Sequence, residues 1–271
     1  MGAKAERKRL FLAAQPFCCF CGGMTPSATE DHVPPRGVFH RRIWPEGYAF
    51  PACDACNSVT RYREQVIALL ARLHPDTDPG DPTSLKEFRK LLAGISNNQR
   101  DLFLELKPTA NETKRFLRKR GLNLPPGMTA DEYPLLSLKG PIVKASVKEF
   151  ARKLFLALHY KKTGKIVPHA GGLMYRWWSN IQVSEGKFPK EIFDLVNRFP
   201  NVKRGRHNFI DQFAYRYGAS DEGELGAYAV RFRASFVMVG IVACDEPILR
   251  GADVDAEILK PFPARLIPAP A

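Results

Sequence analysis

Cys18 and Cys21 form one C-x2-C pair, and Cys53 and Cys56 form a second. Four thiols in two close pairs constrain this chain more than any hydrophobic pattern does. They supply the donor set of a tetrahedral structural zinc (Zn2+) and oblige two distant segments to meet at one ion. The interval between the pairs, residues 22–52, exceeds the roughly 15–20 residues of an ordinary zinc ribbon. The intervening chain therefore carries something beyond a turn. Gly22 and Gly23 directly after Cys21 suit a tight knuckle. Cys19 offers a poor C-x-C bite and is assigned to the core. Cys244, at the end of an apolar run, reads as a buried free thiol.

The 271 residues suffice for one large domain or two modest ones. Lys plus Arg number 41 against 28 Asp plus Glu, a net charge of +13. That excess points to a polyanionic partner, nucleic acid before anionic membrane. No run of about 18 apolar residues is present, so no membrane span is predicted. The basic start has only a short apolar stretch, Leu10 to Ala14, too brief for a signal peptide. Paired C-x2-C without an export signal fits metal ligation in a reducing compartment, and the expected location is cytoplasmic.

The predicted fold class is α+β: an N-terminal zinc-stabilised module over residues 1–75, then an α+β domain over 76–271, helical across 84–165 and β-containing across 166–271. A short basic helix is read over 5–14. The periodicity of Val59, Tyr62, Val66, Leu69, Leu70 and Leu73 predicts a helix from Ser58 to Leu73. "PDTDPGDPTS" (75–84) is a turn-rich break. Helices are expected from Ser84 to about Ala93, over 101–120, from about Val143 to Lys162, and within "KFPKEIFDLVNRFP". Alternation at Phe213, Tyr215 and Tyr217, then at Tyr228, Val230 and Phe232, followed by apolar Phe236–Ala243, predicts a small antiparallel sheet. The tryptophans of "YRWW" (175–178) are assigned to the core.

Inside the long interval stands "TEDHVPP", and Asn57 directly follows the last cysteine in "CDACN". The order C-x2-C, Asp-His, C-x2-C-Asn resembles the HNH endonucleases, whose site is a ββα-metal finger, and in plan the four-cysteine zinc type typified by phage endonuclease VII. The resemblance covers about residues 15–75. It implies that Asp31 and Asn57 hold a catalytic divalent ion, Mg2+ or Mn2+, and that His32 is the general base. It also implies products with 5′ phosphate and 3′ hydroxyl ends. The chemistry agrees: neutral imidazole can activate water, and a carboxylate with an amide oxygen suits a hard cation. Neighbouring strand residues point to opposite faces, so a bend is expected at Asp31-His32, with Pro34-Pro35 fixing it. In the plain alternative, Asp31-His32 is a surface pair and Asn57 caps the next helix. One position departs from the family pattern. The middle Asn that steadies the base is missing, and Tyr48 of "YAFPAC" stands nearest its place. Glu30, His40 or a backbone carbonyl would have to serve.

Arg36, His40, Arg41 and Arg42 lie in the loop between the Asp-His pair and the second knuckle, and Arg61 and Arg63 are expected on the first turns of the following helix. They are the candidate contacts to nucleic-acid phosphates. KRFLRKR (114–120) and the loop Lys203, Arg204, Arg206, His207 are further basic stretches. The expected function is metal-dependent hydrolysis of phosphodiester bonds in DNA, with a homodimer if the substrate is a symmetric junction. The rival is a non-catalytic zinc module binding nucleic acid, RNA included. Pure binding would need none of Asp31, His32 and Asn57.

Overall fold

The computed structural model describes residues 2–73, 82–187, 196, 198–251 and 257–263. Helix α1 (Ala3–Ala14) leads into the first cysteine knuckle and buries none of its residues. Strands β1 (Thr29–His32) and β2 (Ala49–Ala52) pair antiparallel, with Asp31 opposite Phe50 and His32 opposite Ala49. Helix α2 (Asp54–Ser58) starts on the second knuckle and α3 (Glu64–Leu70) follows. Thus the helix expected over 58–73 is two helices. Val59 and Tyr62, counted among its apolar face, lie in the intervening turns and are exposed.

Helices α4 (Pro82–Asn98), α5 (Arg100–Leu106) and α6 (Ala110–Lys119) come next. The single helix expected over 101–120 is broken at Pro108, which cannot donate to the ladder. Thr109 and Glu112 close a capping box that restarts the chain as α6. The expected boundary at 75–84 and the expected helix within 187–200 fall largely outside the described residues.

Helix α7 (Pro141–Thr163) is the centre of the molecule. It begins at a proline, ends on Gly164 in the left-handed region, and buries residues on nearly every side. Such a helix needs cover all round. On one side α3 and the cysteine module supply it. On the other lies a four-stranded antiparallel sheet in the order β3-β8-β7-β6. Its strands are β3 (Gly172–Ser179), β6 (Ala214–Ala219), β7 (Leu225–Phe232) and β8 (Phe236–Ala243). Gly240 of β8 permits the close approach: a Cβ there would sit 2.6 Å from the Phe155 ring. Strand β3 carries Trp178, buried, and Trp177, whose ring meets Phe236 at 5.6 Å. A short hairpin, β4 (Lys203–Arg204) and β5 (His207–Asn208), forms a sheet of its own, and α8 (Glu246–Arg250) packs near β3 and β8. One hydrophobic core runs from Cys18 through Phe155 to Phe262, so residues 1–75 and 76–271 share their interior. None of the described helices is long and apolar enough to cross a membrane.

Candidate metal centre and pocket

The first knuckle is built by its own backbone. Cys18 N–H donates to Thr25 O at 2.9 Å and Gly23 N–H to Cys18 O at 3.2 Å. Gly22 and Gly23 take φ of 67° and 73°, a region that glycine enters without strain. The second knuckle is a helix start: Cys53 caps α2, its sulfur accepting from Cys56 N–H at 3.5 Å. Bonds from Cys19 N–H to Pro51 O (3.0 Å) and from Ala28 N–H to Ala52 O (2.9 Å) draw the two together. The result is a buried group, Cys18, Cys21, Cys53 and Cys56, whose sulfurs all lie within 4.8 Å of one another. This group can hold a metal ion such as zinc. Without one the thiols must share protons unevenly: bonds from Cys18 and Cys56 hold the Cys21 thiol low, while Cys18 and Cys21 push Cys56 up. A bound cation lets all four be thiolates. Cys19 is buried beside the group and outside it, and burial raises its thiol well above the ordinary range.

A pocket of about 180 Å³ is lined by Asp31, His32, Arg36, Arg42, Arg61, Glu30, Glu64 and Asn57, the residue after Cys56. The Asp-His pair and the terminal Asn therefore share one concavity. No bend precedes His32: β1 continues through it, and the two side chains take different surroundings, as strand geometry demands. Asp31 is 4% exposed and forms an ion pair with Lys153 of α7. Burial pushes its carboxyl up, and the Lys153 ammonium opposes that. Lys153 also donates to Thr60 Oγ1 at 2.6 Å. His32 faces the edge of Trp44, ring centroids 4.7 Å apart, and its Nε2 accepts from Arg36 Nη2 at 2.8 Å. Burial, then the charges of Arg36, Arg7 and Arg204, push the imidazole down to about 4. It is neutral at neutral pH. Asn57 is placed by its N–H bond to Cys53 O (3.0 Å) and turns its amide nitrogen to Thr29 Oγ1 at 3.5 Å.

The other proposed contacts divide. His40 pairs with Glu87 at 3.3 Å, and its backbone N–H binds Gln212. It does not line the pocket. Arg41 is likewise outside, its N–H held by Glu87 at 2.9 Å. Arg63 pairs with Glu149 at 3.5 Å and borders a smaller void next to the pocket. Arg61 and Arg63 lie in the turns before α3, not on its first turns. Tyr48 is buried with its hydroxyl 3.3 Å from that of Tyr215, and its carbonyl accepts from Val33 N–H at 3.2 Å. The backbone thus pins the residue after His32, and Trp44 holds the ring.

Three residues of the site escaped the sequence. Glu64 stands seven residues past Asn57, at the start of α3, and burial pushes its carboxyl up to about 7, with Lys153 opposing and Asp31 adding to the rise. An acidic residue at that spacing from Asn57 was a usable signal. Lys153 and Trp44 gave none, because their roles depend on contacts made only in the folded chain. No protein-family model, no curated protein and no solved structure matches the chain.

Proposed function

We propose that this protein is a metal-dependent HNH-type endonuclease that hydrolyses phosphodiester bonds in DNA. The observation that carries the reading is the shared pocket: Asp31, His32 and Asn57 line one concavity, and Asn57 directly follows Cys56 of the four buried cysteines. The β1-β2-α2 order around it is the one a ββα-metal finger requires. Asp31, Asn57 and Glu64 line this pocket and would supply hard oxygen donors of the kind suited to Mg2+ or Mn2+. An ion bound there would supply Lewis-acid stabilisation of the departing 3′ oxygen.

The remaining work belongs to this chain's own side chains. His32 is neutral, and Nε2 can take the proton of an attacking water. In the free protein Arg36 occupies that lone pair. A phosphate entering the pocket offers Arg36 a stronger, charge-assisted partner, which frees Nε2 as substrate arrives. Arg42 and Arg61 are exposed on the pocket rim and suit flanking phosphates. Lys153 fixes the Asp31 carboxylate from behind.

One observation favours the non-catalytic alternative. The Asp31 charge is already matched by Lys153, so a nucleic-acid-binding zinc module needs no second metal. The two are separated by incubating the purified protein with plasmid, linear and branched DNA, with RNA alongside, in Mg2+ or Mn2+ and in chelator. The endonuclease reading expects metal-dependent nicking that leaves 5′ phosphate and 3′ hydroxyl ends. Binding without cleavage in any divalent ion would support the alternative.

A further inference from the structure

The basic loop at 203–207 is far from the pocket in sequence and beside it in space. It forms the β4-β5 hairpin, with Lys203 opposite Asn208 and Arg204 opposite His207, and residues 203–208 are all exposed. The hairpin is not a free appendage. Lys203 O accepts from Glu46 N–H at 3.0 Å, and Arg204 Nη1 donates to Trp44 O at 3.5 Å. The Arg204 guanidinium lies 4.6 Å from the centroid of the Trp44 ring, and that of Arg36 lies 3.7 Å from the same ring. Trp44 in turn meets His32 edge-on at 4.7 Å.

Two cations thus share one indole next to the base. An aromatic face holds a guanidinium in orientation without consuming its donors. Among the described residues, neither Arg36 nor Arg204 has a carboxylate within ion-pairing distance. The crowding bears on Arg36: burial first, then the charges of Arg42 and Arg204, lower its proton affinity, and Glu30 on the pocket lining opposes them. Like charges gathered with no carboxylate at ion-pairing distance form a site that an anion completes.

We propose that the β4-β5 hairpin, through Arg204 set beside Arg36 on Trp44, binds backbone phosphate of the nucleic acid adjacent to the pocket. The second half of the chain then supplies part of the substrate grip. The nature of the polyanion rests on the function proposed above. The chemistry is shared by DNA and RNA.

The test measures binding, not cleavage. Fluorescence anisotropy of a short labelled DNA duplex, and of an RNA duplex of the same sequence, is followed over a range of salt without divalent ions. His32→Ala serves as the parent so that nothing is cut. Arg204→Ala on that parent is expected to weaken binding about tenfold and to lower the log K against log salt slope by about 1. Arg204→Lys should keep most of the slope. Arg250→Ala, whose guanidinium is already paired with Glu246, should match the parent. Loss confined to the DNA arm, or to the RNA arm, names the source of the phosphate. An unchanged slope and affinity in Arg204→Ala, with the melting temperature of the parent retained, would overturn the proposal. So would failure of the parent to bind either duplex. If wild-type protein cuts nothing while Arg204 still governs binding, the endonuclease reading falls and this interface stands.

Discussion

Strands β1 and β2 of the cysteine module have 4 residues each and pair only with one another. Strands β3, β7 and β8 of the C-terminal sheet have 8 residues each, and β8 is paired on both sides. The sheet packs its own rings, Phe213 stacked on Phe232 at 5.3 Å and Phe232 on Phe236 at 5.6 Å. An isolated two-stranded hairpin is marginal in water. The module makes up the deficit with four sulfurs and with what α7 lends it. Asp31 and His32 sit on this short two-stranded pair. On the reading proposed above, their geometry depends on an ion held by the four cysteines and on Lys153 of α7, and the two dependencies can be broken separately.

Breaking the sulfur cluster has the largest expected effect. Cys53→Ser, or strong chelation, should release the metal and with it most of the module's folding free energy, on the order of 10 kcal/mol by analogy with zinc-finger peptides. Amide hydrogen exchange checks the contrast: protection should vanish in β1 and β2 and persist in β7 and β8. Equal loss in both regions would mean that the sheet, too, depends on the cluster.

Breaking the link to α7 comes next. Lys153 and Asp31 are each 4% exposed in their side chains. Lys153→Met leaves a buried carboxylate without its cation, at a cost of about 3–5 kcal/mol. The double variant Asp31→Leu with Lys153→Met should recover much of that in urea unfolding, because both charges leave together. A double variant as unstable as the single one would show that the pair matters through packing.

The sheet side offers a smaller, pH-dependent handle. His159 is fully buried, its Nδ1 3.2 Å from the Tyr228 hydroxyl, and burial pushes its imidazole down to about 4. The unfolded chain binds this proton near pH 6.5, the folded one only near 4. Stability is therefore complete above about 6.5 and declines as pH falls toward 4. Replacing His159 with Gln, which does not titrate, should flatten that part of the urea midpoint against pH. An unaltered profile would assign the acid sensitivity elsewhere, first to His32, which is shifted the same way in the module.

The same contrast explains what the sequence disclosed. Spacing alone revealed the four cysteines, because metal ligation needs residue types at fixed short intervals. Strand β8 was legible to the residue, since Phe236–Ala243 is buried on both sides and reads as one apolar run. Helix α7 was legible to within two residues at either end. The break between α2 and α3 was not, because the apolar period of 59–73 continues through residues that the turns leave exposed. Strand β3 was missed because "YRWW" mixes a charge with rings and resembles a core patch as much as a strand. In the pocket, Asp31, His32 and Asn57 could be picked out by order around the cysteines. Lys153, Trp44 and Arg204 could not, since each reaches the site from a distant segment or through an aromatic contact that no local pattern encodes.

The most direct test of the account is single-turnover cleavage by wild-type protein and His32→Ala in the same divalent ion. With zinc content and melting temperature unchanged, the account predicts a fall in rate of about 10²- to 10⁴-fold, the usual worth of a general base. Equal rates from the two proteins would contradict it.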